Sequence, residues 1–299
     1  MISVCKDKFA FYDKESDSIV YKNSQGKRSL SLGGKVLTSL CVTDDRLHFI
    51  IDNLYVRGKL DEGVYRSVDN LRLEGKNWVK IFYIKRDNVE GLTLLSHNKE
   101  TDCHEIFVQD EKENWMDISP QESNIVQSIP EFEFESRMTY FVGNAGKYYY
   151  GVFDPVSKVA VWKNVQLPPD LKISRITLSK DYIFFMTFDD DTKAICLYKT
   201  DVKLLLTDKE NATKLVFENY AVILDLHSCK DFEVFLTPEF LILSKDDKLY
   251  STEVQNLEEG DYMLEMKGLN GDLILRSEKG HIFKARLADD MTLCTRKIK

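Results

Sequence analysis

Residues 240–254 read FLILSKDDKLYSTEV, an apolar run, a charged turn at Asp246-Asp247, and a second run opening on Leu249 and Tyr250. Alone, this is the pattern of a β-hairpin whose strands are at least half-buried. The pattern also recurs. Extended to a template of three strands and two polar turns, it fits seven times in order, over residues 2–23, 37–60, 78–109, 138–164, 173–201, 232–254 and 262–287. Start-to-start spacings run from roughly 30 to 60 residues, the scale of solenoids, propellers and arrays.

The turns carry residues suited to tight reversals. Lys6-Asp7-Lys8, Asp44-Asp45-Arg46, Asn144-Ala145-Gly146, Pro238-Glu239 and Asn270-Gly271-Asp272 tolerate positive φ or fix φ near the proline value. The second turns do the same with Asp154-Pro155, Asp189-Asp190-Asp191, Asp246-Asp247 and Glu278-Lys279-Gly280. Ile, Val, Leu, Phe and Tyr dominate between them, and continuous runs such as TYFVG and YIFFMTF suit strands covered on both faces. Helical spacing is confined to LDLHSCKDF (224–232) and VDNLRLEGKNW (68–78), read as short helical insertions.

A lone three-stranded sheet cannot bury both faces, whereas sheets packed radially cover one another and leave only short edges. The expected fold is therefore all-β: one closed β-propeller over residues 1–299, with seven blades, or six and a decorated edge. LSLGG (30–34), EFEFES (131–136), KLVFENYAV (214–222) and the C-terminal MTLCTRKIK are assigned as outer fourth strands, the last completing a blade begun at the N-terminus and so closing the ring.

LTPEFLILSKDDKLYS and LNGDLILRSEKGHIFKARL resemble repeats of the regulator-of-chromosome-condensation type, in which an apolar strand precedes a polar turn and a Leu/Val-Tyr strand. The resemblance implies a propeller and, as an alternative function, nucleotide exchange on a small GTPase. This chain departs from the family's glycines, with Ser251 after Tyr250 and Lys284 after Phe283. It also lacks the Gly-His and Trp-Asp pairs of WD40 units.

The chain's 299 residues are 43% hydrophobic and 30% charged, which suits a folded protein with a sizeable core. Its 49 acidic and 41 basic residues give a net charge of −8 without a basic run, which disfavours nucleic acid as a partner. The N-terminus lacks the apolar stretch of a secretory signal, and no apolar span approaches membrane length. Cys5, Cys41, Cys103, Cys196, Cys229 and Cys294 are widely spaced without a CxxC, and are read as reduced core thiols of a cytoplasmic or nuclear protein. The sequon at Asn211 is then incidental.

No stretch is a catalytic signature. Asp189-Asp190-Asp191 lacks the spacing and Gly of a calcium loop and is read as a solvated turn. His97, Cys103 and His104 match no zinc spacing and are read as flanking a hairpin around NKETD. No His lies in a GxSxG-type nucleophile frame. A propeller glycosidase, the second alternative, needs two carboxylates at the channel. The strands expected to line that channel, SVC, SLCV, KIFYI, TYFV, RITL, VFL and LEM, offer Lys80, Arg175 and Glu265 as ionisable groups, and no carboxylate pair.

The expected function is accordingly a non-enzymatic interaction module or scaffold subunit that docks proteins or peptides, without cofactor or metal. Lys147-Tyr148-Tyr149-Tyr150 follows a turn, and residues 110–135 and 202–231 are long insertions of the kind that carry function. Trp115, Ile129, Phe132, Phe134, Tyr148 and Tyr149 are the candidate partner-binding residues, because Tyr and Trp dominate interface hot spots. The competing expectation for EFEFES is that Phe132 and Phe134 point inward from a strand whose glutamates face water.

Overall fold

The computed structural model of the chain describes residues 1–23, 26–59, 65–67, 76–86, 89–100, 103–110, 112–120, 131–134, 137–144, 147–154, 156–165, 173–178, 182–188, 195–201, 213–218, 222–228, 232–246, 248–269, 271–288 and 293–298. Among them the regular elements are all strands, arranged as seven four-stranded antiparallel sheets. The first sheet comprises β1 (Ile2–Cys5), β2 (Lys8–Asp13), β3 (Ser18–Asn23) and β4 (Gly26–Ser31). The second holds β5 (Leu37–Val42), β6 (Arg46–Ile51), β7 (Leu54–Lys59) and β8 (Tyr65–Ser67). In the third are β9 (Lys76–Arg86), β10 (Val89–Asn98), β11 (Cys103–Gln109) and β12 (Trp115–Asp117). The fourth contains β13 (Glu131–Phe134), β14 (Arg137–Asn144), β15 (Lys147–Asp154) and β16 (Val159–Val165). The fifth is built from β17 (Ile173–Leu178), β18 (Tyr182–Phe188), β19 (Ile195–Asp201) and β20 (Thr213–Glu218). The sixth has β21 (Asp225–Ser228), β22 (Glu233–Leu236), β23 (Phe240–Lys245) and β24 (Lys248–Glu253). The seventh has β25 (Met263–Leu269), β26 (Asp272–Ser277), β27 (Ile282–Leu287) and β28 (Leu293–Lys297).

Within every sheet the strands follow chain order, so each hairpin is local. Positive φ is placed where the turns need it. Asp52 and Asn53, at 47° and 61°, form the two-residue reversal between β6 and β7, the left-handed pair whose twist matches that of its strands. Side chains then alternate between the two faces of each sheet, and the alternation is what lets one sheet serve two cores. On β5, Leu40 and Val42 pack toward the first sheet while Cys41 faces the third. On β22, Val234 and Leu236 face the seventh sheet while Phe235 faces the fifth. On β26, Leu273 and Leu275 face the sixth while Ile274 faces the first.

Such cores join the first sheet to the second, second to third, third to fourth, fifth to sixth, sixth to seventh, and seventh to first. Rings such as Phe11, Phe153, Phe235 and Phe283 are fully buried in them, each contributing roughly 1.5–3 kcal/mol by area removed from water. The first strands β1, β5, β9, β21 and β25 lie together at the inner side. Because strands alternate in direction, turns between first and second strands and between third and fourth share one rim, here the first rim. Turns between second and third strands, and the connections between sheets, share the opposite second rim.

Four expectations are corrected. The C-terminal segment pairs with β27 in its own sheet, and β1–β4 are complete without it, so the seventh and first sheets meet by side-chain packing instead of strand exchange. EFEF is the first strand of the fourth sheet and not an outer strand; DLHS is the first strand of the sixth and not helical. The other helix candidate enters β9 at Lys76–Trp78, while its residues 68–75 lie outside the described residues. A three-strand template fits a four-stranded unit in two registers. It slipped by one wherever the first strand was short, four residues in both cases, and lacked a β-branched run.

Candidate functional site

The inner strands enclose a cavity of about 450 Å³, lined by backbone and side chains of residues 1–4, 38–42, 79–83, 224–225, 264, 265 and 267. With DLHS restored as a first strand, its lining includes the charged side chains of Lys80, Asp225, Glu265 and Lys267, and the Met1 amine. A carboxylate pair is therefore present, against the sequence-based reading, and both members are engaged. Asp225 accepts from the Met266 and Leu226 amides at 3.0 Å each, with Lys267 Nζ at 4.0 Å. Glu265 accepts from Arg276 Nε at 2.9 Å and pairs with the Met1 amine at 3.0 Å. Burial alone would raise the Glu265 carboxyl, but the Met1 amine and Arg276 outweigh it and hold it below the usual range, while burial brings the Met1 amine itself down to about 6. His227 lies flat against Gly268, where any Cβ would meet its imidazole; burial and Lys267 push its pKa down.

On the second rim the connections entering β5, β21 and β25 leave Val36, Val222 and Tyr262 exposed, at 68%, 41% and 43%. Each lies within three residues of the start of an inner strand, on the connection that leads into the strands lining the cavity. Phe240 and Leu54 are exposed farther out on the same rim.

The first rim is charged. Lys6 Nζ donates to Asp44 Oδ2 at 2.8 Å and Lys8 donates to the Asp44 carbonyl, tying the first sheet to the second. Lys158 reaches Asp110 at 3.0 Å, tying the fourth to the third. Between these, Arg46 Nη1 and Arg57 Nη2 of the second sheet converge on Glu113 of the third at 2.7 and 2.8 Å. A recess of about 270 Å³ opens beside Arg46, His48 and Asp110. Beneath it His48 Nδ1 and the Tyr55 hydroxyl share a hydrogen bond of 2.8 Å. Burial, then the positive charge of Arg46 and Arg57, brings the His48 pKa down to about 3. Trp115 stands edge-on to Tyr55 at 5.9 Å.

Of the sequence candidates, Trp115 is thus half-buried on β12 at the boundary of the second and third sheets. Tyr149 is only 9% exposed and packs in the core between the third and fourth sheets, a correction to its role as an exposed anchor. It points inward because the alternation of β15 places Tyr149 and Phe153 on one face. Phe132 and Phe134 lie on β13 and Tyr148 on β15 by backbone, and Ile129 falls outside the described residues. The two whose side chains are described lie in different places, Trp115 between the second and third sheets and Tyr149 between the third and fourth. His97 and His104 are register partners across the β10–β11 hairpin, and Asn98 pairs with Cys103. Cys5 and Cys41 are buried, whereas Cys294 is exposed instead of being a core thiol.

Sequence reasoning missed Asp225, His227, Val36, Val222 and Tyr262. The signal available was position: each sits on, or just before, a first strand.

No family model matches the chain, and no curated protein matches it. Solved structures do. That of YCF48 bound to D1 peptide superposes with a TM-score of 0.66 at 10% identity, covering 95% of this chain and 90% of that one. Virginiamycin B lyase from Staphylococcus aureus gives 0.57 at 10% identity over 88% and 84%. A chain of the Mitotic Checkpoint Complex gives 0.57 at 10% identity over 100% and 86%. The fold of this chain is that of the β-propeller proteins.

Proposed function

We propose that the chain closes into one seven-bladed propeller and acts, in cytosol or nucleus, as a non-enzymatic docking module for a protein or peptide held at the cavity mouth. The observation that carries this is the set of exposed apolar side chains, Val36, Val222 and Tyr262, on connections leading into strands that line a cavity with a mixed polar lining. Apolar and aromatic groups beside a concavity are what interface anchors use. The YCF48 structure contains a peptide and the Mitotic Checkpoint Complex is an assembly, which supports a polypeptide partner. Ring closure is supported by the Ile2, Phe11, Val20, Ile274 and Ile282 core between the seventh and first sheets. The burial of Cys5 and Cys41 as thiols supports a reducing compartment.

Site-specific photo-crosslinkers test the reading. Placed at positions 36 and 262 in cells, they should trap the same partner, and a crosslinker at Val161 on the outer edge should not. A partner trapped equally at 161, or none at the mouth, overturns it. For closure, limited proteolysis should leave one resistant unit; two independently folded halves would refute a single ring.

A further inference from the structure

We propose that Arg46, Arg57 and Trp115 form a carboxylate-binding site on the first rim, filled in the free chain by Glu113 and available to an acidic side chain of a docking peptide. The inference rests on the reading that the partner is a polypeptide.

Four observations converge on it. Two guanidinium groups from neighbouring strands hold one carboxylate, each on its own oxygen, at 2.7 and 2.8 Å. Each guanidinium makes one charge-assisted hydrogen bond, and together the two occupy both carboxylate oxygens. The cations are the anchored half of the arrangement, with side chains 29% and 26% exposed, while Glu113 lies above them at 44%. Glu113 also has φ of +64°, a left-handed conformation that costs a non-glycine residue energy. Its turn is held by Asp110, whose Oδ1 accepts from the Lys112 and Asn114 amides at 2.9 and 2.8 Å. The hairpin presents the carboxylate at the expense of local strain.

The fourth observation points to a ligand beyond Glu113. Arg57 Nη1 and Trp115 Nε1 are buried polar atoms without a hydrogen-bond partner among the described residues. Arg57 already holds Glu113, and Trp115 lies two residues beyond it on the chain. A buried donor left unpaired carries a desolvation penalty, so a second acceptor group here would be bound favourably. Below the site, His48 is kept neutral by burial and by these same arginines, so the pocket's positive charge resides on Arg46 and Arg57. Glu113, with its pKa held low first by Arg46 and then by Arg57, is a fully ionised competitor at neutral pH.

Removing that competitor is the test. Fluorescein-labelled hexaglutamate is titrated by anisotropy into wild type, Glu113→Ala and Glu113→Ala/Arg57→Ala at low salt, with hexaglutamine as the uncharged control. Glu113→Ala should bind hexaglutamate at least tenfold more tightly than wild type, and the gain should vanish in the double variant and fall when Trp115→Phe is added. Glu113→Gln, which keeps side-chain length, should show the same gain if Glu113→Ala folds poorly. Equal affinity of wild type and both Glu113 variants, or a gain that survives loss of Arg57, overturns the proposal. Because the probe engages the first rim directly, absence of crosslinks at positions 36 and 262 would sink the mouth reading without touching this result.

Discussion

The two rims of the molecule carry their ion pairs and exposed apolar groups in different places. On the first, neighbouring sheets are bridged by charge: Lys6 to Asp44, Arg46 and Arg57 to Glu113, Lys158 to Asp110. On the second, Val36, Leu54, Val222, Phe240 and Tyr262 stand exposed. Second-rim ion pairs include Lys14 of the first sheet with Glu278 of the seventh at 3.1 Å, and Lys297 of the seventh with Glu258 of the connection entering it at 2.7 Å. At the first rim the described β1–β2, β5–β6, β11–β12 and β15–β16 turns bring opposite charges of neighbouring sheets together. Connections at the second rim return the chain from an outer strand to an inner one, and they carry apolar residues up to the strands that line the cavity. Ion pairs thus join sheets at both rims, and exposed apolar groups occur at both, Val156, Val159, Leu249 and Tyr250 standing at the first; what sets the second apart is that Val36, Val222 and Tyr262 precede inner strands.

The largest expected contrast is in acid. His48, beneath the first rim, is neutral in the fold with a pKa of about 3, against about 6.5 in an unfolded chain. Below pH 6.5 the unfolded state takes up a proton that the folded state refuses. The contribution is thus full above about pH 6.5 and lost as pH falls toward 3, on the order of 4 kcal/mol over that window. Urea denaturation of wild type and His48→Gln between pH 7 and 4 should show the gap closing as pH falls. Parallel curves would mean that His48 is not held neutral.

A smaller effect comes from the staples themselves. Glu113→Ala leaves two half-buried guanidinium groups without their shared acceptor and should cost about 1 kcal/mol, since partial exposure screens charge-assisted bonds. The Glu113 carboxyl is held low first by its hydrogen bond from Arg46, then by that from Arg57, so its contribution persists above the usual glutamate range and disappears as pH falls through its depressed value. The second-rim counterpart, Lys14→Ala, removes an exposed pair and should cost less than about 0.5 kcal/mol. Equal losses at the two rims would erase the distinction between the half-buried staple and the exposed pair.

What the sequence disclosed, and what it withheld, follows the same physical lines. The hairpin at 240–254 is present as β23 and β24, with Leu243 opposite Tyr250, because strand alternation and turn chemistry are local. Seven repeats were countable for the same reason. First strands were harder: ISVC and LTSLCV read as strands, but DLHS and EFEF are four-residue runs without a β-branched residue and do not announce themselves. That slip hid Asp225 from the cavity lining and misdirected attention to Tyr149, whose burial depends on a neighbouring sheet. The staple of Arg46, Arg57 and Glu113 was also illegible. Its partners are 67 and 56 residues apart, and nothing local marks them as a set.

The smallest effect on folding should accompany the largest effect on docking. Val36 and Tyr262 are exposed, and replacing either removes little buried area, so Val36→Ser and Tyr262→Ser should each change stability by no more than about 0.5 kcal/mol. The Val36 backbone is fixed independently of its side chain, its amide donating to Asp52 Oδ1 at 3.0 Å and its carbonyl accepting from the Asp52 amide at 3.0 Å. The Tyr262 amide likewise donates to Asp261 Oδ1 at 2.9 Å. Each substitution thus tests a side chain on an undisturbed loop. If the mouth anchors a partner, truncating Tyr262 should weaken binding of the crosslinked partner about tenfold or more, the range in which aromatic anchors fall. Thermal melts and partner titrations on the same preparations separate the cases. A variant that melts with wild type and binds weakly places its side chain in the interface. One that binds normally assigns the exposed apolar group to the ordinary surface and leaves the first rim as the remaining candidate for contact.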